Sequence, residues 1–261
     1  MLSKLLKRDL KKNMSWMWIL FVATIGVALI TRGAKELGEN LAFFEVIHII
    51  FESAFYGLAV NLIIQPFLRN FLNFHKSFYS DEAYLTHTLP VTKNQLINSK
   101  YLTAVIEIVA GFATLIVSLL ILFAGPNFID SLKLLVSTAV SGNFSIVLVL
   151  VLFVILVVVE FLMFISIINF SIVVAFKSKD RRILKTFLIS MCCAFASLAV
   201  LVVCMLAVLA INGIKLTSTS IVLEAGAMYS VFISAIVVYS AVSVLFYFLA
   251  KKEFNKGVNV D

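Results

Sequence analysis

Four carboxylates fall inside otherwise apolar stretches of this 261-residue chain: Glu45, Glu52, Glu107 and Glu160. Ionisable groups at membrane depth are expensive, so they generally face a cavity or a partner. Glu45, His48 and Glu52 stand at i, i+3 and i+7, one stripe of a helix. Glu45 and His48 make the E-x-x-H pair that forms half of a di-iron site. That chemistry needs a second pair and more acids, and the chain has no second E-x-x-H. The stripe therefore reads as a water-exposed vestibule or an ion-pairing surface of a dimer, with Glu45 alone able to sit at the outer headgroups. Glu160 lies within Val-Val-Val-Glu-Phe-Leu-Met, near the middle of the longest apolar run. It is either a carboxyl hydrogen-bonded to another helix or a group lining a substrate route. Asn169, Ser166 and Ser171 follow one to three turns later and are expected to share its face.

Hydrolytic and nucleotide chemistry find no support. There is no H-E-x-x-H, and His48, His75 and His87 lack a matching set of partners for a catalytic constellation. No G-x-x-x-x-G-K-[ST] phosphate loop occurs, and the Lys-Ser and Lys-Thr pairs at Lys76, Lys177 and Lys185 have no preceding glycine. Cys192, Cys193 and Cys204 share one apolar run, which suits small packing residues rather than a disulfide framework. A chain with these features is not expected to be an enzyme, to bind a metal or to hold a cofactor of its own.

The elements that position these residues are membrane spans. The chain is 62% hydrophobic and 13% charged, with a mean hydropathy of +1.09; a soluble domain carries about 25% charge. Apolar runs cover residues 16–31, 41–65, 101–124, 144–176, 187–211 and 225–250. Each is long enough, with its flanks, for the ~20 residues that cross a bilayer. The fold expected is an all-α, six-span integral membrane protein forming a single domain over 1–261. The fourth run is long enough that it must tilt, break or project. All but four of the 21 Lys and Arg fall in 1–15, 66–100, 177–186 and 251–261; the others are Arg32, Lys35, Lys133 and Lys215. The positive-inside rule then places both termini in the cytoplasm. The net charge of +7 points to anionic lipid headgroups rather than to nucleic acid.

Three flanking segments have amphipathic character. Leu2, Leu5, Leu6 and Leu10 oppose Lys4, Lys7, Arg8 and Lys11, which predicts an interfacial helix on the inner leaflet, part of an uncleaved anchor. Phe128, Ile129, Leu132, Leu135, Val136 and Ala139 recur at helical spacing and predict an outer surface helix. Between the second and third spans, Ser80 and Asp81 can cap a short helix that Pro90 stops. Thr92 and Gln95 then form a capping box that starts the helix entering the third span.

The stretch Asp81-Glu-Ala-Tyr-Leu-Thr-His-Thr-Leu-Pro-Val-Thr, with Gln95-Leu and Ser99-Lys100 after it, resembles the corresponding segment of bacterial ABC-2-type transporter permeases. The six-span layout and the basic leader agree along the whole chain, although only about 20 residues are motif-like. The resemblance implies one membrane half of an ATP-driven exporter in the bacterial cytoplasmic membrane. Two such subunits, identical or paralogous, would pair around a pathway, and each would dock a separate ATP-binding subunit that carries the ATP and Mg. By position, Asp81, Glu82, Tyr84, Leu85 and Leu89 would be the docking surface of the coupling helix, with Pro90 setting its turn. Glu45, His48, Glu52, Glu160 and Asn169 would be pathway or vestibule residues, and the cargo amphipathic or hydrophobic: a peptide toxin, bacteriocin or drug. Residues 212–224 leave little room for the re-entrant structure that the family often has there. The competing reading is a secondary transporter or channel using intramembrane carboxylates such as Glu160. Pro66, Pro90 and Pro126, all read as lying at span ends, and the lack of an internal repeat weigh against it.

Overall fold

The computed structural model describes residues 2–38, 41–79, 91–123, 128–137, 140–141, 145–177, 181–213 and 223–256. Among the described residues, seven helices run in chain order: α1 (Leu2–Gly38), α2 (Ala42–Tyr79), α3 (Lys93–Phe123), α4 (Phe128–Ser137), α5 (Ile146–Ala175), α6 (Arg182–Ile211) and α7 (Ala225–Asn255). Six of them, all but α4, are long and apolar enough to cross a membrane. Only 11% to 33% of the most apolar window of each helix is buried inside the protein. The remainder presents Trp18, Ile19, Val22, Leu29 and similar side chains outward, as lipid-solvated helices do.

The chain divides into two compact units, the first built from α1–α3 and the second from α4–α7. In the first, α1 packs against both α2 and α3. Its inward positions are Leu5, Asp9, Asn13, Met17, Phe21, Thr24, Ala28, Thr31 and Ala34, a spacing of three or four residues throughout. Small and hydroxylated residues on this face let the backbones approach. The Thr24 and Thr31 hydroxyls donate to the carbonyls of Leu20 and Val27, at 2.7 and 2.8 Å, so neither needs an outside partner. Phe55 is fully buried beside Ala28 and Leu122. Arg32 donates to the Ile121 carbonyl at 2.9 Å, satisfying one of the last carbonyls of α3.

The helix ends depart from the sequence expectations in two places. The basic leader is not a separate element, because α1 continues unbroken from Leu2 to Gly38. Proline 66 does not end α2; the helix carries it inside and runs on to Tyr79. Proline removes the bond to the carbonyl four residues earlier, here that of Leu62, and this oxygen faces Gly111 of α3. A Cβ at Gly111 would stand 3.4 Å from it, in ordinary contact, so the approach needs a small residue there. The third helix starts at Lys93, as the capping box predicts, two turns before the apolar run. At ~1.5 Å per residue, α1 and α2 are each about 55 Å long, against a hydrocarbon core of ~30 Å. Their polar ends and the start of α3 therefore form a three-helix extension of the first unit.

In the second unit, α5, α6 and α7 pack together around Met163, Ile167, Leu201, Ala235 and Tyr239. Helix α5 is unbroken through 30 residues. Phe128–Ser137 is helical as its spacing predicts. At one end of the unit, β1 (Val140–Ser141) and β2 (Leu223–Glu224) pair in parallel. The Ser145 amide donates to the Tyr229 hydroxyl nearby, at 3.0 Å. At the other end Glu253 pairs with Lys177 and Lys256.

Candidate functional site

Three polar arrangements stand out, two in the first unit and one in the second. The first joins the projecting ends of α1, α2 and α3. The capping box predicted at the start of α3 is present: the Gln95 amide donates to the Thr92 hydroxyl and the Thr92 amide to the Gln95 side chain, both at 3.3 Å. One turn on, the Ser99 hydroxyl donates to the Asp9 carboxylate at 3.0 Å, and the Lys100 ammonium lies 3.1 Å from the same oxygen. Asp9 is buried, and Arg8 lies 3.4 Å from its other carboxylate oxygen. One turn further along α1, Asn13 accepts from the Asn73 amide at 2.8 Å through its side chain and from Arg69 at 3.2 Å through its backbone carbonyl. Arg69 also donates to Gln65 and lies over the Trp16 ring, 5.9 Å from its centroid. Glu107 sits deeper, fully buried, with Asn13, Arg69, Lys100 and Asp9 the polar groups that act on it. Neither of its carboxylate oxygens has a hydrogen-bond partner among the described residues.

Sequence reasoning named Ser99-Lys100 by resemblance and assigned nothing to Asp9, Asn13, Arg69 or Asn73. A signal for Asp9 existed. It is the single acid in the basic leader, and it is in phase with the inward positions Met17 and Phe21 at helical spacing.

The second arrangement is the stripe at the other end of α2. Glu52 is bracketed by its own helix: the Tyr56 hydroxyl donates to it at 3.0 Å, and His48 Nδ1 lies 3.8 Å away. Glu45 is exposed and stands outside that pairing. Among the described residues, no three His, Cys, Asp or Glu side chains are grouped so as to hold a metal ion.

The third arrangement is a cleft of about 140 Å3 in the second unit. Glu160, Met163 and Phe164 of α5, Met191 and Phe195 of α6 and Tyr239 of α7 line it. Glu160 is half-buried and makes no hydrogen bond or ion pair among the described residues, so the helix-to-helix bond open to it from the sequence is not formed there. Tyr239 lies within electrostatic range of it. Asn169 does not share this face. Nine residues at roughly 100° each place it on the opposite side of α5, where it is buried. Ser166 is turned inward as well and shares a 2.9 Å hydrogen bond with Ser243 of α7.

The sequence-predicted residues thus fall into separate groups. Glu45, His48 and Glu52 belong to the first unit, and Glu160 and Asn169 to the second, on opposite faces of α5. The coupling-helix residues Asp81, Glu82, Tyr84, Leu85, Leu89 and Pro90 lie outside the described residues. No protein-family model, curated protein or solved structure matches the chain.

Proposed function

We propose that this chain is one membrane half of an ATP-driven exporter of the ABC-2 type, seated in a bacterial cytoplasmic membrane with both termini inside. Two copies, or one copy and a paralogue, would form the pathway. A separate subunit would bind and hydrolyse ATP. The observation that best supports this reading is the shared anchorage beside residues 80–90. The helix entering that segment is tied to α1 through Asn73 and Arg69, and the helix leaving it through Ser99 and Lys100. Both ties end on two neighbouring turns of α1, at Asp9 and Asn13. A push on the segment between them would therefore move three spans together, which is what a coupling helix needs to do. In the exporter reading Asp81, Glu82, Tyr84, Leu85 and Leu89 meet the ATPase, and Pro90 sets the turn.

The test is co-purification of the tagged chain in mild detergent. A stoichiometric soluble ATPase is the expected companion. Replacing Tyr84, Leu85 and Leu89 together by Asp should release it while membrane insertion persists. Undiminished complex formation by that variant would remove the coupling-helix assignment. The secondary-transporter reading draws on Glu107 and Glu160, two intramembrane carboxylates without hydrogen-bond partners among the described residues. It takes the lead if no ATPase accompanies the chain in several detergents.

A further inference from the structure

We infer that the Glu160 cleft binds a lipophilic cation carrying an aromatic or short branched apolar group. The inference rests on the exporter reading only for what happens to the bound molecule, since the cleft's chemistry stands by itself. Its lining combines one carboxylate with Phe164, Phe195 and Tyr239 and with the thioethers of Met163 and Met191, and it contains no Lys, Arg or His. Aromatic faces and a carboxylate together form the environment that attracts organic cations, through the ring quadrupole and the opposite charge. Methionines let the wall adapt to irregular shapes. The size agrees: roughly 150 Å3 accommodates one benzene ring, and the cleft measures about 140 Å3. One ring or a short branched chain can enter while the rest of the molecule stays among lipid tails. Phe195 is 62% exposed, so the opening faces outward from the unit, where a membrane-dissolved molecule arrives.

Charge makes the choice among occupants. A carboxylate without a counter-charge is costly at membrane depth, and Glu160 has none among the described residues. A cation supplies one, a neutral lipid tail does not, and an anion is repelled. Glu160 is then the specificity-determining residue and the aromatic rings set shape.

The test compares tetraphenylphosphonium with tetraphenylborate, ions of nearly equal size and shape and opposite sign. Binding of each is measured to the purified full-length chain in phosphatidylcholine nanodiscs, without any ATPase. With the two ions measured in separate titrations, saturable binding is expected for tetraphenylphosphonium alone, weakened at least about tenfold in Glu160→Gln. Ala194 also lines the cleft, and a second variant, Ala194→Trp, narrows it and keeps the carboxylate; it should weaken binding even if Glu160→Gln fails to fold. Equal binding of the two ions, equal binding by wild type and a folded Glu160→Gln, or no saturable binding because a second copy closes the cleft would each overturn the inference. The two readings fail separately. Glu160-dependent binding without a co-purifying ATPase sustains the cleft and removes the exporter. A co-purifying ATPase without such binding does the reverse.

Discussion

Removing the Asp9 carboxylate is the sharpest test of the anchorage between α1 and α3. Its side chain is 6% exposed and that of Lys100 is 11% exposed, with 3.1 Å between the charges. At an effective dielectric constant of ~20, that separation corresponds to about 5 kcal/mol of attraction before desolvation is subtracted. Asp9→Ala leaves Lys100 buried without its carboxylate and Ser99 without its acceptor, a situation that costs about 3–5 kcal/mol. Asp9→Asn keeps an acceptor for Ser99 and loses only the charge, so about 2 kcal/mol is expected. Removing both charges, as in Asp9→Leu with Lys100→Met, should recover most of the loss, because an apolar pair of similar volume replaces the ion pair. The cycle closed by the single variants Asp9→Leu and Lys100→Met should therefore give a coupling of about 2–3 kcal/mol. Unfolding in mixed micelles with increasing dodecyl sulfate provides the measurement. Tryptophan emission reports it directly, since the chain has two tryptophans and both, Trp16 and Trp18, lie on α1. Wild-type stability in Asp9→Ala, or a coupling near zero, would mean that the pair is solvated and that the three helix ends are not locked to one another.

Three further outcomes follow from the same packing. Arg69→Ala removes the donation to the Asn13 carbonyl and the stacking on Trp16; it should cost about 1–2 kcal/mol and shift Trp16 emission when measured in a Trp18→Phe background. Phe55→Ala empties a fully buried position beside Ala28 and Leu122 and should cost about 3–5 kcal/mol, whereas Phe43→Ala, at a site 72% exposed, should stay within about 0.5 kcal/mol; the same micelle titration separates them. Gly111→Ala should be tolerated, since its Cβ would reach ordinary contact with the Leu62 carbonyl at 3.4 Å, while Gly111→Leu should cost about 1–3 kcal/mol by forcing α2 and α3 apart, readable as earlier unfolding and faster proteolysis.

Composition and apolar run length were sufficient for the six long helices, because the bilayer thickness dictates how many consecutive apolar residues a span needs. The Thr92–Gln95 capping box was equally legible: its partners are three residues apart and the geometry is local. The ends of α1 and α2 were not. Proline 66 reads as a stop by its local chemistry, yet α2 carries it inside and runs on to Tyr79 beside Gly111 of α3. The leader's leucine stripe suggested a helix resting on lipid, while its inward face, Leu5, Asp9 and Asn13, continues that of the span behind it.

The division is sharpest for the polar residues. Sequence alone established that Glu45, His48 and Glu52 share a stripe, since neighbours on one helix are fixed by its 3.6-residue period. The same period sets Asn169 opposite Glu160, against the expectation that the two share a face. Which residues from distant parts of the chain meet is a different kind of fact. Asp9 finds Ser99 across 90 residues, Asn13 finds Asn73 across 60, and Glu160 shares a cleft with Phe195 and Tyr239. No local pattern encodes those encounters. They depend on how helices of nearly uniform apolarity choose their neighbours, and in lipid that choice is made by close packing and by the pairing of buried polar groups.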